Sequence, residues 1–320
     1  MKTNVAMKSL LIPLLLVFFT QSGMAQTPVT DATTATTSQT KSFSVGEGPE
    51  AVVFDGVNIW VANQFSNTLS KVRVSDGVTL GTYSVGTRPV ALVFDGANIW
   101  AANYLSDNVT KLRASDGLML GTFAVGDGPG GLLFDKTNIW VANRNSNDVT
   151  KLRASDGFRL GTFAVGTRPL ALAFDGANIW VTNNKSNTVT ALASNGSVVG
   201  TYPVGDGPFG VVFDGANMWV ANFFSKNVMK LAVDGTVVNK VAVGDGPAGI
   251  TFAGGYLWVA NNGSNTVSKL EPGAGTLIST FAVNRGPFGV AFDGINIWVA
   301  SMAAGSVSKI SPVNSFSPVP

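Results

Sequence analysis

Residues 86–125 read GTRPVALVFDGANIWAANYLSDNVTKLRASDGLMLGTFAV, and the architecture follows from them. Four short runs of β-branched, aromatic and other apolar residues succeed one another, separated by Gly-x-x-Pro and Asp-Gly punctuation. Runs of this kind between turn signals read as strands. Asp95-Gly96 and Asp116-Gly117 suit tight hairpins, because both residue types tolerate positive φ and aspartate hydrogen-bonds its own backbone. No part of the stretch spaces its apolar residues as a helix does. Four strands in one unit predict a four-stranded antiparallel meander.

The unit recurs along the chain. All seven tryptophans share one register, Trp60, Trp100, Trp140, Trp180, Trp219, Trp258 and Trp298, at intervals of 40, 40, 40, 39, 39 and 40. Pro49, Pro89, Pro129, Pro169, Pro208, Pro247 and Pro287 keep the same beat. One meander cannot bury both of its faces, whereas seven set around an axis cover one another. The chain is therefore expected to be all-β, a seven-bladed β-propeller of four-stranded antiparallel blades. The second residue after each of these prolines is Gly or Ala, as strands converging on an axis require. The tryptophan-bearing strand is apolar on both faces, as neighbours on both sides require.

Closure of the ring is also legible. The last repeat ends at Val307-Ser308-Lys309-Ile310 without a segment like LGTFAVG. Ahead of the first repeat, Ser42-Phe43-Ser44-Val45-Gly46 matches Thr122-Phe123-Ala124-Val125-Gly126. The N-terminal segment is expected to supply the missing outer strand of the last blade. The competing segment, Ser315 to Pro318, contains a proline that cannot donate to a ladder.

Lys2 and Lys8 precede the apolar run Leu10–Phe19, which leads to Gly23-Met24-Ala25. That order predicts a signal peptide over residues 1–25 and an exported product, periplasmic or extracellular. The run contains Pro13 and falls short of the roughly 20 residues a spanning helix needs, so no transmembrane segment is expected in the mature chain. A Thr-rich flexible leader is expected over 26–41, the propeller over 42–311 and a tail over 312–320. Without Lys2 and Lys8 the 21 basic residues become 19, against 19 acidic ones. A formally neutral mature chain gives no reason to expect nucleic acid as a partner.

Composition removes much chemistry. There is no cysteine and no histidine, and only three glutamates, Glu47, Glu50 and Glu271. Disulfides, thiolate or imidazole zinc sites, cysteine nucleophiles and Ser–His pairs are excluded. No cofactor or metal is expected. Asp127, Asp206 and Asp245 could share a hard cation, but they lie on three separate blades and are expected to be solvated.

The motif Trp180-Val181-Thr182-Asn183 and its WVAN relatives, the following Ser186-Asn187-Thr188-Val189 and the Gly-x-x-Pro turns resemble the YVTN-type β-propeller repeats. The resemblance covers residues 43–310 and implies an exported or cell-surface propeller. The chain is more distantly similar to NHL-type propellers and, through its Pro-x-Gly-Ile/Val and Leu-Trp-Val patterns, to the propeller of streptogramin B lyases. Those lyases rely on an active-site histidine, which this chain lacks.

Loops of a meander alternate between two ends of the ring. Ten aspartates mark hairpin tips at one end, where the repeats agree closely. Variation gathers at the other end, in two places. After WVAN the residue pairs are Gln64-Phe65, Tyr104-Leu105, Arg144-Asn145, Asn184-Lys185, Phe223-Phe224, Asn262-Gly263 and Met302-Ala303. After each proline stand Glu50, Val90, Gly130, Leu170, Phe209, Ala248 and Phe288. A repeat protein that diversifies one face commonly displays a binding surface there. Phe65, Tyr104, Phe223, Phe224 and Met302 are expected to stand exposed as anchors, with Arg144 and Lys185 beside them. Arg88, Arg168 and Arg285, in the Gly-x-x-Pro turns, are candidate grips for a carboxylate. The other reading is that these loops vary because nothing constrains them. Lys71 and Arg73, with Lys111, Arg113, Lys151 and Arg153, form a basic strip expected to pack its stems between blades with its charges in water. The reading that follows is a monomeric, non-catalytic binding or scaffold module for a protein or envelope glycan. A small-molecule lyase or hydrolase at the channel mouth is the alternative.

Overall fold

The computed structural model describes residues 39–311, and the expected signal peptide, most of the leader and the tail lie outside them. Among the described residues there are 28 strands, one 3-10 turn at Met302–Ala304 and no α-helix. No helix among them is long and apolar enough to cross a membrane. The strands form seven four-stranded antiparallel sheets, the expected propeller. In the first blade the inner strand is Pro49–Phe54, followed by Asn58–Asn63, Thr68–Arg73 and the outer strand Thr79–Ser84.

The ring closes with the N-terminal strand. Gln39–Ser44 pairs antiparallel with Ser306–Ser311 of the last blade, setting Phe43 against Val307. Pairing starts at Gln39, so the last three residues of the expected leader already belong to the blade.

Each blade buries its tryptophan; six of them are completely inaccessible and Trp258 is 2% exposed. In six blades the indole N–H donates to the aspartate of the first hairpin, as from Trp60 to Asp55 Oδ2 at 2.7 Å. The other oxygen of Asp55 accepts the amides of Val57 and Asn58. The aspartate thus closes the turn and anchors the core indole together. Burial pushes the carboxyls of Asp95, Asp135 and Asp293 up, but these hydrogen bonds outweigh it and hold them below their ordinary value. Blade six has Ala253-Gly254-Gly255 there, and Trp258 donates to the Ala253 carbonyl instead.

Blades are joined by a repeated contact at their outer hairpins. Tyr83 of blade one packs on its own Trp60, with ring centroids 5.1 Å apart, and lies over Gly117 in the next blade's hairpin. Gly117 has φ +78° and no room for a Cβ beneath that ring, so two constraints demand glycine at once. Lys71 lies over the face of Trp60 and donates to the carbonyls of Ala114 and Ser115 in the same hairpin. Lys111, Lys151 and Lys230 repeat the arrangement. This corrects the expectation of solvated charges: the Lys71 and Lys111 ammonium groups are buried and cap carbonyls of the neighbouring blade. Arg73, Arg113 and Arg153, two residues on, do remain exposed and pair with Asp76, Asp116 and Asp156. At the closing joint Phe43 covers Gly77 and Trp298, and Lys309 donates to the Val74 carbonyl. Closure therefore uses the same parts as the other joints.

The axis imposes its own constraint. A Cβ on Gly131, Gly210 or Gly249 would collide with the carbonyl oxygen of Leu170, Ala248 or Phe288 on the next inner strand.

Deleting residues 26–46 is expected to abolish the single cooperative thermal transition, and Phe43→Ser to cost roughly 2–3 kcal/mol. A melting curve unchanged by the deletion would show that this strand does not hold the ring. Lys111→Met keeps the stem but leaves two hairpin carbonyls without a donor. Denaturant unfolding is expected to register a loss of about 1–3 kcal/mol.

Candidate functional site

The two variable positions lie at one end of the ring, as the meander requires. The loop after each tryptophan strand is tied to its blade's entry turn through backbone bonds such as Gln64 N–H to Gly48 O and Phe65 N–H to Glu47 O. Residues after the prolines point into the axis. There all but Ala248 line a cavity of about 240 Å³ to which all seven inner strands contribute. Its floor is aliphatic, including Val52, Leu92, Leu132 and Ile250. Its upper wall carries Glu50 and Arg144 on one side and Phe209 and Phe288 on the other.

Arg144 reaches this wall because blade three has Gly130 after its proline. A Cβ there would collide with Arg144 Nε, so the missing side chain is what seats the guanidinium. Arg144 Nη2 donates to the Gly130 carbonyl at 3.2 Å and stands 3.7 Å from Glu50 Oε1 of blade one. Its Nε–H is buried and has no acceptor among the described residues. Tyr104 is flanked by two guanidinium groups, with Arg88 and Arg144 5.2 and 5.3 Å from its ring centre. Arg88 Nε donates to Gln64 Oε1 at 3.0 Å. Ala248 of blade six is buried and small, and Phe209 and Phe288 meet beside it edge to face, 5.5 Å apart. Phe223 extends this aromatic wall, 6.2 Å from Phe209 and 5.2 Å from Phe224.

Burial dominates the electrostatics of the pair. It pushes the Glu50 carboxyl above its ordinary value, although Arg144 and Arg88 both pull it down. Burial also works against the charged form of Arg144, with Glu50 opposing. Burial thus works against the charged form of both partners.

The candidates named from sequence divide into three groups. Tyr104, Arg88 and Arg144 pack together and Arg144 reaches the cavity, while Phe223 lies apart from them against Phe209. Phe65 and Phe224 stand on the rim, 60% and 67% exposed, as does Lys185. Arg168 and Arg285 are exposed turn residues. The expectation that Tyr104, Phe223 and Met302 stand free in solvent is corrected: all three are half-buried. They are the first residue of each variable pair, which turns toward the axis, whereas the second turns outward. Met302 accepts from Gln64 Nε2 across the joint of blades seven and one. Sequence reasoning named Glu50 among the variable post-proline residues but not as a candidate contact, although it is the one charged residue among those seven positions. Leu105 was passed over too and is 59% exposed. Among the described residues no three acidic side chains gather as a metal site would need.

No family model and no curated protein matches this chain. Solved structures do. A streptogramin B lyase superposes with a TM-score of 0.77 at 18% identity, covering 86% of this chain and 97% of its own. A catalytically inactive His-to-Ala variant of virginiamycin B lyase from Staphylococcus aureus, solved with quinupristin, gives 0.77 at 17% identity, with coverage of 87% and 100%. Hydrazine synthase of Kuenenia stuttgartiensis gives 0.74 at 18% identity, with coverage of 83% and 96%. The likeness is one of fold.

Arg144→Met alone leaves Glu50 buried without its counter-ion. It is expected to cost about 2–3 kcal/mol, less than a fully buried pair because the cavity opens to solvent. The double change Glu50→Leu with Arg144→Met is expected to recover that loss in denaturant unfolding. A double variant no more stable than the single one would show that burial does not work against the charged pair.

Proposed function

We propose that this chain is an exported, non-catalytic binding module that engages its partner through the variable-loop end, with the axial cavity as the anchor point. One observation carries the reading. Seven blades that agree at the hairpin end differ at the loop end, and the differing side chains, Glu50, Arg144, Phe209 and Phe288, are the ones that wall the cavity. Phe65 and Phe224 add apolar surface around it. Half-buried aromatics ringed by exposed ones are the arrangement expected of an interface anchor. Export rests on the N-terminal sequence pattern, and a protein or envelope glycan fits a face of this breadth.

A small-molecule lyase or hydrolase is the second reading. The shared fold with streptogramin B lyase favours it. The catalytically inactive relative has a histidine replaced by alanine, and this chain has no histidine at all. Fold alone does not carry activity across such a difference.

Affinity capture from envelope extract with residues 26–320 tests the binding reading, with a Phe65→Ser, Phe224→Ser variant run beside it. A partner held by the parent and weakened about tenfold or more by the variant is expected. A partner held equally by both would move the interface away from this face.

A further inference from the structure

Charge and shape at the cavity mouth identify a ligand chemistry, an inference that rests on reading this end as a binding face. The Arg144 guanidinium lines the cavity 3.7 Å from the Glu50 carboxylate, and the Arg88 guanidinium stands outside that lining, against Tyr104 and near enough to act on Glu50. The third, Arg168, is exposed in the entry turn of blade four, close enough to act on Arg144 electrostatically. Of the acidic turn residues, Asp245 pairs with Lys226, while Asp127 and Asp206 accept from the neutral amides of Asn145 and Asn187 and keep their charge.

Two backbone positions make the arginines conspicuous. The residue before the entry proline has positive φ in the blades, and five of them use glycine there: Gly48, Gly128, Gly207, Gly246 and Gly286. Arg88 and Arg168 occupy the same position at φ +59° and +56°. A long side chain held in that region is strained, and such strain collects at binding sites. Arg144 adds a buried guanidinium whose Nε–H is unsatisfied, and whose distance of 3.7 Å to Glu50 is an ion pair without a hydrogen bond. Guanidinium groups in this condition have donors to offer a planar oxyanion.

The opposite wall is aromatic, formed by Phe209 and Phe288 with Phe223 behind them. A cavity of about 240 Å³ is below the usual range for drug-sized ligands, so it suits a single ring with a short tail. We propose that this cavity takes an aromatic carboxylate, its acid group on Arg144 and its ring against Phe209 and Phe288. A free aryl acid and the C-terminal aromatic residue of a peptide present this same chemistry.

Calorimetric titration with 3-phenylpropionate tests it, alongside the matching amide and amine. The peptide acetyl-Gly-Gly-Phe is used as free acid and as amide. The acids are expected to bind saturably with a Kd of about 0.1–1 mM, and the amides and the amine to bind at least tenfold more weakly. Arg144→Gln is expected to weaken acid binding about tenfold, and Phe209→Ala by a similar factor. Glu50→Gln removes the competing carboxylate and is expected to tighten it several-fold. A merely structural disturbance would weaken binding in all three variants, and circular dichroism checks that each is folded. Binding of the peptide acid as tightly as the free one assigns the site to a chain terminus; binding of the free acid alone assigns it to a small molecule. Equal binding of acid and amide, preference for the amine, or no binding by any probe would overturn the proposal. The capture experiment uses neither probe nor cavity variant, so it decides the broader reading independently.

Discussion

Everything else in this propeller depends on the joint between an outer hairpin and the blade before it. A four-stranded sheet with apolar residues on both faces has no stable existence alone, and here each sheet is completed by specific parts of its neighbour. In five of the seven blades the tryptophan lies under a lysine that reaches the next blade's hairpin carbonyls, and in most blades under an aromatic ring that lies on that hairpin's glycine. Ring closure needed no new device, because Phe43 and Lys309 reproduce the joint across the chain termini. The joint tolerates local loss: blade four has Ala191 where others have lysine, and Trp219 has Val241 in place of an aromatic cover.

Concentrating these contacts in the hairpin half of each blade frees the opposite end. The two variable loop residues are tied to the entry turn by backbone bonds, which any side chain permits, while the recurrent serine and Asn or Asp that follow supply the repeated side-chain bonds. Side chains there could diverge without weakening the ring. Their divergence is nonetheless coordinated across blades. Gly130 leaves the space that Arg144 fills, and Ala248 leaves the space in which Phe209 and Phe288 meet. Unconstrained drift gives no reason for small residues to sit where a neighbour's large one must pass. The Glu50–Arg144 pair points the same way, since burial disfavours both charged forms.

The solved structures that share this architecture agree with it over nearly their whole length while keeping under a fifth of the residues. That is the behaviour expected when a ring geometry is fixed by a few positions per blade. The loop-end residues of this chain, with no histidine among them, define a site of their own.

The sequence by itself determined the ring: the forty-residue beat, the Asp-Gly hairpins, the small residues at the axis and the segment around Phe43 all follow from rules acting over a few residues, repeated seven times. It also placed the variable positions at one end. What only tertiary structure decided is how those positions meet. Lys71 looked like a solvated strip because its acceptors, the Ala114 and Ser115 carbonyls, are more than forty residues away. Glu50 was only one of seven variable post-proline residues because its partner Arg144 belongs to a loop two blades on, and Tyr104, Phe223 and Met302 were placed in solvent because nothing local shows which of two loop residues turns inward. Strand periodicity is a property of the chain, legible within one repeat. Convergence on an axis is a property of the closed ring, and it exists only once seven blades have been brought around it.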